Sequence, residues 1–219
     1  RFFFAGLNDY LCKKYLPQCD LVFTVSPGLI KAYADNYNVV CEFLPSLPNF
    51  RDTEGILPSS KPIKMIHHGT AAPGRQLEKM IEVTKILGPD YTLDLMLLEN
   101  KGGYVEKLKN MASTLSNVRF IPPVPMPDIP KKISEYDIGF FLLEPNTFNH
   151  KHALPNKFFE FIQGRLAIAI GPSPDMAAIV KQHELGVVAK DFTPKTMAEE
   201  LKKMTISRIT QYKSNADKA

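Results

Sequence analysis

The sequence predicts an α/β fold: a doubly wound parallel sheet of about six strands, preceded by the tail end of a second α/β unit. Three observations lead there. Short apolar runs alternate with segments of helical period along most of the chain. Several of those runs are apolar on both faces, as strands covered by helices on each side must be. The stretch 46–62 is rich in Pro, Ser and charge, has no strong period, and reads as a linker. The expected units are therefore a remnant at 1–45, the linker at 46–62, a sheet domain at 63–204 and a closing helix at 205–219.

The elements follow in order. "DLVFTV" (20–25) is a buried strand. Ser26 offers a helix N-cap and Pro27 a first helical position, and "GLIKAYADNY" continues the helix. "VVCEFLP" (39–45) is a second short strand. Beyond the linker, "IKMIHH" (63–68) is a strand. "RQLEKMIEVTKIL" (75–87) places Leu77, Met80, Ile81, Thr84 and Leu87 at helical spacing, with Gly88-Pro89 as its stop. "TLDLMLL" is a strand, "YVEKLKNMAS" a helix and "VRFIP" a strand. Five prolines then lie between Pro122 and Pro130. "IPKKISEY" is a short helix, "DIGFFLL" a strand, and "PNKFFEFIQ" a helix ending at Gly164. "LAIAI" is a strand, "PDMAAIVKQH" a helix and "LGVVA" a strand. Thr193-Pro194 caps "KTMAEELKKM", and "ISRITQYKSNADKA" is the last helix.

Composition narrows the function classes. The chain has 219 residues, 44% apolar and 23% charged, the balance of a globular protein. No apolar run reaches the roughly 18 residues that span a bilayer, and no signal peptide is visible. The chain begins at Arg1 rather than Met, which leaves room for an upstream segment. Net charge is +4, and the tail 201–219, with five basic residues against Asp217, accounts for all of it. A nucleic-acid-binding surface is not expected. The tail reads as a solvated helix end, with an anionic membrane or partner as the other option. Cys12, Cys19 and Cys41 form no CxxC pair, which fits a reducing compartment and argues against a disulfide scaffold or structural zinc site.

Ligands of doubly wound sheets bind beyond the carboxyl ends of the strands. The loops to inspect are 67–75, 121–130, 144–156 and 171–175. In "HHGTAAPGR", Gly69 follows a strand and Arg75 opens a helix. Glycine allows close backbone approach, a helix N-terminus favours an anion, and Arg75 adds a two-pronged phosphate contact. Arg75 also reads as a solvated first-turn residue. In "HALPNKFFEF", Asn156, Lys157 and Glu160 share one helical face, while Phe158, Phe161 and Ile162 face the core. A weak surface ion pair between Lys157 and Glu160 is the plainer reading. Yet a Lys in a first helical turn opposes the helix dipole unless an anion is held there. His67-His68 and His150-Lys151-His152 could in principle join as a metal site, but Lys151 would repel a cation. No Asp-x-Asp pair is present to carry a metal–diphosphate complex, and no GxSxG elbow supports a Ser-His-Asp hydrolase.

These stretches together resemble the donor half of a GT-B glycosyltransferase of the family-four (group 1) type. "CDLVFTVSPGLIKAYADNYNVVCEFLPSLPNF" is similar to the end of the acceptor domain and the linker. "HHGTAAPGRQLEKMIEV" resembles the first strand–loop–helix of the Rossmann-like donor domain. "YDIGFFLLEPNTFNHKHALPNKFFEFIQGRLAIAIGP" resembles the sugar-nucleotide signature, and "ITQYKSNADKA" the closing helix. The resemblance implies that Glu160 accepts hydrogen bonds from the ribose. His152 stands eight positions earlier, where the family has a sugar-facing glutamate. Lys157 and His152 are the implied catalytic residues. Gly69, Thr70, Arg75, Asn156, Lys157 and Glu160 are the implied donor-binding set.

The implied reaction is metal-independent, retaining transfer of a sugar from a nucleoside-diphosphate sugar, expected to be a UDP-sugar, to a polysaccharide or glycolipid acceptor. The expected partners are the nucleotide-sugar donor, a glycan or lipid-linked acceptor and an upstream acceptor domain, with no cofactor and no nucleic acid. The expected location is cytoplasmic, with peripheral contact on the inner membrane face as an option. Two other readings stand beside it: a nonenzymatic sugar-nucleotide-binding module, and a UDP-sugar epimerase of the same fold.

Overall fold

The computed structural model describes residues 2–58, 60–99 and 102–219. It opens with helix α1 (Phe2–Tyr15), an element the apolar period did not announce. Strand β1 (Phe23–Thr24), helix α2 (Pro27–Tyr37) and strand β2 (Glu42–Phe43) follow. Helix α2 starts as its sequence requires: Ser26 Oγ accepts from the Leu29 amide at 3.4 Å, and Pro27 sits in the first turn. The two expected strands shrink to two residues each. They pair only with one another, in parallel, and leave Phe23, Val25, Phe43 and Leu44 exposed. Two strands alone bury too little to extend a ladder.

The main sheet holds β3 (Ile63–Ala71), β4 (Tyr91–Glu99), β5 (Val118–Ile121), β6 (Ile138–Phe141), β7 (Ala167–Ile170) and β8 (Gly186–Val188). The order is β5-β4-β3-β6-β7-β8, and every pairing is parallel. The chain winds outward one way from β3 and the other way from β6. The order therefore reverses between them, and the crevice beyond their carboxyl ends is the switch point. The β3–β6 register pairs Met65 with Ile138 and Ile66 with Gly139 and then stops, although both strands continue. Their ends diverge there.

Helices cover both faces. On one face α3 (Glu78–Leu87), α4 (Tyr104–Ala112) and α9 (Pro194–Lys202) bury Leu77, Met80, Ile81, Leu108, Met197 and Leu201 against the sheet. On the other, α5 (Ile129–Ile133), α7 (Asn156–Gln163) and α8 (Pro174–Gln182) bury Ile133, Phe158, Phe161, Met176 and Val180. A short helix α6 (Phe148–Lys151) lies within the expected loop 144–156, capped by Thr147. Helix α10 (Ile206–Lys218) supplies Ile209 to the first core and Ala216 to the second.

Four expectations change. Strand β3 runs on through Gly69, Thr70 and Ala71, so the loop after it is shorter than 67–75. Arg75 does not open α3; it ends a single 3-10 turn (Pro73–Arg75), and Gln76 adopts a left-handed backbone before α3 starts at Glu78. Pro155 is the cap position ahead of α7, not its first residue. The basic tail is not wholly solvated: Lys213 is buried and donates to the Tyr136 carbonyl at 2.6 Å. Burial holds its ammonium down to about 8, against the opposing pull of Asp137. No helix among the described residues is long and apolar enough to cross a membrane.

Candidate functional site

The site is built where β3 and β6 part. In place of a ladder bond, the side chain of His67 crosses the gap. Its Nδ1 lies 2.9 Å from the Phe140 carbonyl oxygen, which can only accept. Nδ1 therefore carries the proton, and Nε2 presents its lone pair. Lys157 Nζ on α7 lies 3.2 Å from that Nε2 and donates to it. His67 is 0% exposed. Burial, and then the charge of Lys157, hold its basicity well below the ordinary histidine value, so the ring is neutral. The Phe141 ring stacks on His67 at 4° and lies 5.1 Å from Lys157 Nζ.

Lys157 is 7% exposed and has no carboxylate within ion-pair distance among the described residues. Burial holds its ammonium down to about 7, with repulsion from Arg75 in the same direction and Glu160 opposing. Gly69 faces this group. Its φ of +112° is a conformation few side chains tolerate, and a Cβ placed there would stand 3.0 Å from Lys157 Nζ and 3.9 Å from Arg75 Nη1. Arg75 reaches the same point by folding back to donate to the Thr70 carbonyl at 3.1 Å. Gly69, Thr70, Arg75 and Lys157 thus converge.

Glu160 lies one turn further along α7 and is 6% exposed. Its Oε2 is 3.4 Å from His68 Nε2, but the geometry leaves that nitrogen without a hydrogen bond. Burial holds His68 down to about 3, so it too is neutral. Burial raises the Glu160 carboxyl, with Lys157 opposing. Lys157 and Glu160 share a face of α7, while Phe158 and Phe161 fill the core as expected. The surface ion pair does not occur: both residues are buried, and Lys157 bonds to His67. Asn156 and Glu160 line a cavity of about 300 Å³, closed by Pro127 and Pro130 of the proline-rich loop and by Leu47 and Arg51 of the linker.

His152 stands apart from this cluster. Its Nδ1 is 2.7 Å from Asp175 Oδ2 at the start of α8. Asp175 Oδ1 accepts from the Gly28 amide at 3.0 Å, which ties α8 to the first turn of α2. The His152 ring rests on Gly28 so closely that a Cβ there would fall 1.8 Å from Nδ1. The two histidine clusters are not gathered together. Among the described residues no group of three or more His, Cys, Asp or Glu side chains could hold a metal ion.

The sequence placed His67, His68 and Asp175 in the loops 67–75 and 171–175 and weighed the two histidines as metal ligands, but gave none of the three a place in the donor-binding set. The legible signal was two polar residues ending an otherwise apolar strand at the switch point. Asp175 had only its place in the loop 171–175, since an acid in a first helical turn is commonplace.

No protein-family model and no curated sequence matches the chain. Solved structures do. A TarM variant from S. aureus, in complex with fondaparinux, alpha-GlcNAc-glycerol and UDP, superposes with a TM-score of 0.79 at 9% identity, covering 96% of this chain and 42% of that one. The chain has the fold of a glycosyltransferase half. The C-terminal domain of the group 1 glycosyl transferase LpcC from Francisella tularensis matches at a TM-score of 0.58 and 14% identity, over 72% of this chain and 83% of that one. Anabaena HepE, in complex with UDP and glucose, matches at 0.74 and 13%, over 97% and 60%. The chain thus spans less than two thirds of the length of TarM and HepE. At such identities the likeness establishes the fold: a doubly wound, Rossmann-like sheet domain of the GT-B architecture.

Proposed function

We propose that the chain is the donor-binding half of a glycosyltransferase that moves a sugar from a nucleoside-diphosphate sugar to a glycan or lipid-linked acceptor. The observation that carries this reading is Lys157. A buried ammonium without a carboxylate partner is costly, and here it stands beside Gly69 and Arg75 at the switch-point edge. That arrangement suits an anion, and a diphosphate fits two cations and a glycine that lets its backbone come close. UDP in the TarM and HepE structures supports a uridine nucleotide.

The chemistry follows from those groups. Breaking the sugar–phosphate bond leaves charge on the diphosphate, and Lys157 and Arg75 stabilise it without a metal ion. Glu160 accepts from the ribose hydroxyls, and Asn156 and the cavity beside it hold the nucleoside. His152 takes the sugar-facing place. The acceptor is a surface polysaccharide or glycolipid, and the sugar keeps its anomeric configuration. The remainder of the acceptor site belongs to an upstream domain.

Calorimetry with UDP tests the reading. UDP is expected to bind in the micromolar to millimolar range, and Arg75→Ala and Lys157→Ala are each expected to abolish binding. A folded chain that binds no nucleoside diphosphate defeats it. One observation favours a second reading, a module that binds sugar nucleotide without transferring the sugar: His152 is engaged by Asp175 and packed on Gly28. Full-length protein that binds a UDP-sugar but neither transfers nor hydrolyses it would select that alternative.

A further inference from the structure

We propose that His67 is the positioning residue of the donor site: a neutral imidazole, locked by Phe140, whose Nε2 lone pair holds the Lys157 amine beside Gly69 and Arg75, so that diphosphate binding is coupled to proton uptake by Lys157. The proposal rests on the donor-site reading above and deepens it.

The geometry imposes each step. The Phe140 carbonyl oxygen accepts at 2.9 Å and fixes the proton on Nδ1. Phe141, stacked on the ring, fixes its plane. The remaining nitrogen can then only accept, and Lys157 Nζ is the donor at 3.2 Å. An imidazolium in that place would repel the lysine and could offer it no lone pair. Burial keeps the ring neutral. The groups that face Lys157 come from four elements: His67, with His68 next to it, from β3; Arg75 from the turn before α3; Phe141 from β6; and Glu160 from its own helix. None is a carboxylate in contact with the ammonium, and the nearby cation opposes its charge. The amine therefore binds a proton weakly until an anion arrives. A diphosphate between Lys157 and Arg75 supplies the missing counter-charge, and the lysine takes up a proton from solvent as the ligand binds.

A role confined to packing would not produce that proton. The test is calorimetric titration of UDP into the full chain at pH 8, in buffers of different ionisation enthalpy. The terminal phosphate of UDP is fully ionised there, so the counted proton belongs to the protein. The wild type is expected to take up most of one proton per UDP, and His67→Gln, which keeps a neutral acceptor, to retain the affinity within a few-fold and most of the uptake. His67→Ala is expected to bind at least tenfold more weakly and to lose more than half of the uptake, because water reaches the freed lysine and restores its proton. Should the alanine variant fail to fold, His67→Leu fills the space without a lone pair and decides the same question. Binding without proton uptake in the wild type, or a folded Leu or Ala variant that matches the Gln variant, overturns the proposal. So does an imidazole nitrogen-15 spectrum showing His67 protonated on both nitrogens at pH 7. Absence of UDP binding by the wild type at any pH is a different failure, because it removes the donor site itself and this coupling with it.

Discussion

Asp175 Oδ2 stands 2.7 Å from His152 Nδ1, and the other oxygen of the same carboxylate holds the Gly28 amide at 3.0 Å. One buried carboxylate therefore fastens the first turn of α2, the loop before α7 and the first turn of α8. Gly28→Ala would drive a methyl group into the His152 ring. The ring would have to leave Asp175. Overpacking costs about 1–3 kcal/mol, more than the ~1 kcal/mol that alanine gains over glycine in a helix. Urea unfolding is expected to show a net loss of stability, and a Gly28→Ala variant more stable than wild type would contradict the packing described.

The proposed binding role of Lys157 comes at a cost in stability. Its ordinary value of 10.5 falls to about 7 in the folded chain. Between those limits the unfolded state binds more protons than the folded state, so wild-type stability rises with pH from about 7 to about 10.5. Below about 7 the cost of burying the charge is fully present. Lys157→Met lacks that cost. The variant is expected to be more stable than wild type at pH 6 by about 1–4 kcal/mol, with a smaller advantage at pH 9, while losing UDP binding. Paired denaturation curves at the two pH values check the sign. An advantage that grows with pH would refute it.

The proposed contact of Glu160 with the ribose can be tested directly by a ligand change. Glu160→Gln is expected to weaken UDP binding about tenfold, the worth of one charge-assisted hydrogen bond. 2′-Deoxy-UDP should lose a similar factor against the wild type. If the two groups meet, the losses are not additive: the variant binds both nucleotides nearly alike. Independent losses would place the carboxylate elsewhere on the ligand.

Within the sheet, Asp94 of β4, paired with Ile66, gathers side chains from β5 and from the turn before β6. It is 3% exposed, accepts from Arg119 at 2.7 and 2.8 Å, and receives the Tyr136 hydroxyl at 2.6 Å. Asp94→Ala leaves that hydroxyl buried without a partner and is expected to cost about 2–3 kcal/mol, Tyr136→Phe about 1 kcal/mol. Neither should alter UDP affinity. A shift in affinity would reveal coupling between this cluster and the donor site.

Much of the fold was legible because its signals are local. Period, caps and breakers placed the main strands and helices, down to Ser26 and Thr193 as caps. The errors fell where a local signal competes with a distant one. The strands at 20–25 and 39–45 have apolar sequences but find only each other as partners, so they remain short. Gly69 and Thr70 look like loop and prove to be strand, because β4 continues beside them: Gly69 pairs with Leu97 and Thr70 with Leu98. Helix α1 has no strong apolar stripe and gave no period to read.

For the site, sequence by itself determined the residue types and their spacing: a glycine and an arginine after the first strand, and a lysine and a glutamate one turn apart on a later helix. It also determined that all four stand at strand ends of a doubly wound sheet. Only the tertiary structure decided what those charges meet. Lys157 and Glu160 could have paired with each other on a surface. Instead α7 lays their shared face against β3, so the lysine bonds to His67 and the glutamate lies against His68. Side chains ninety residues apart in the chain carry no mutual signal in sequence. The divergence of β3 from β6 brings them together, and burial at that gap sets their protons.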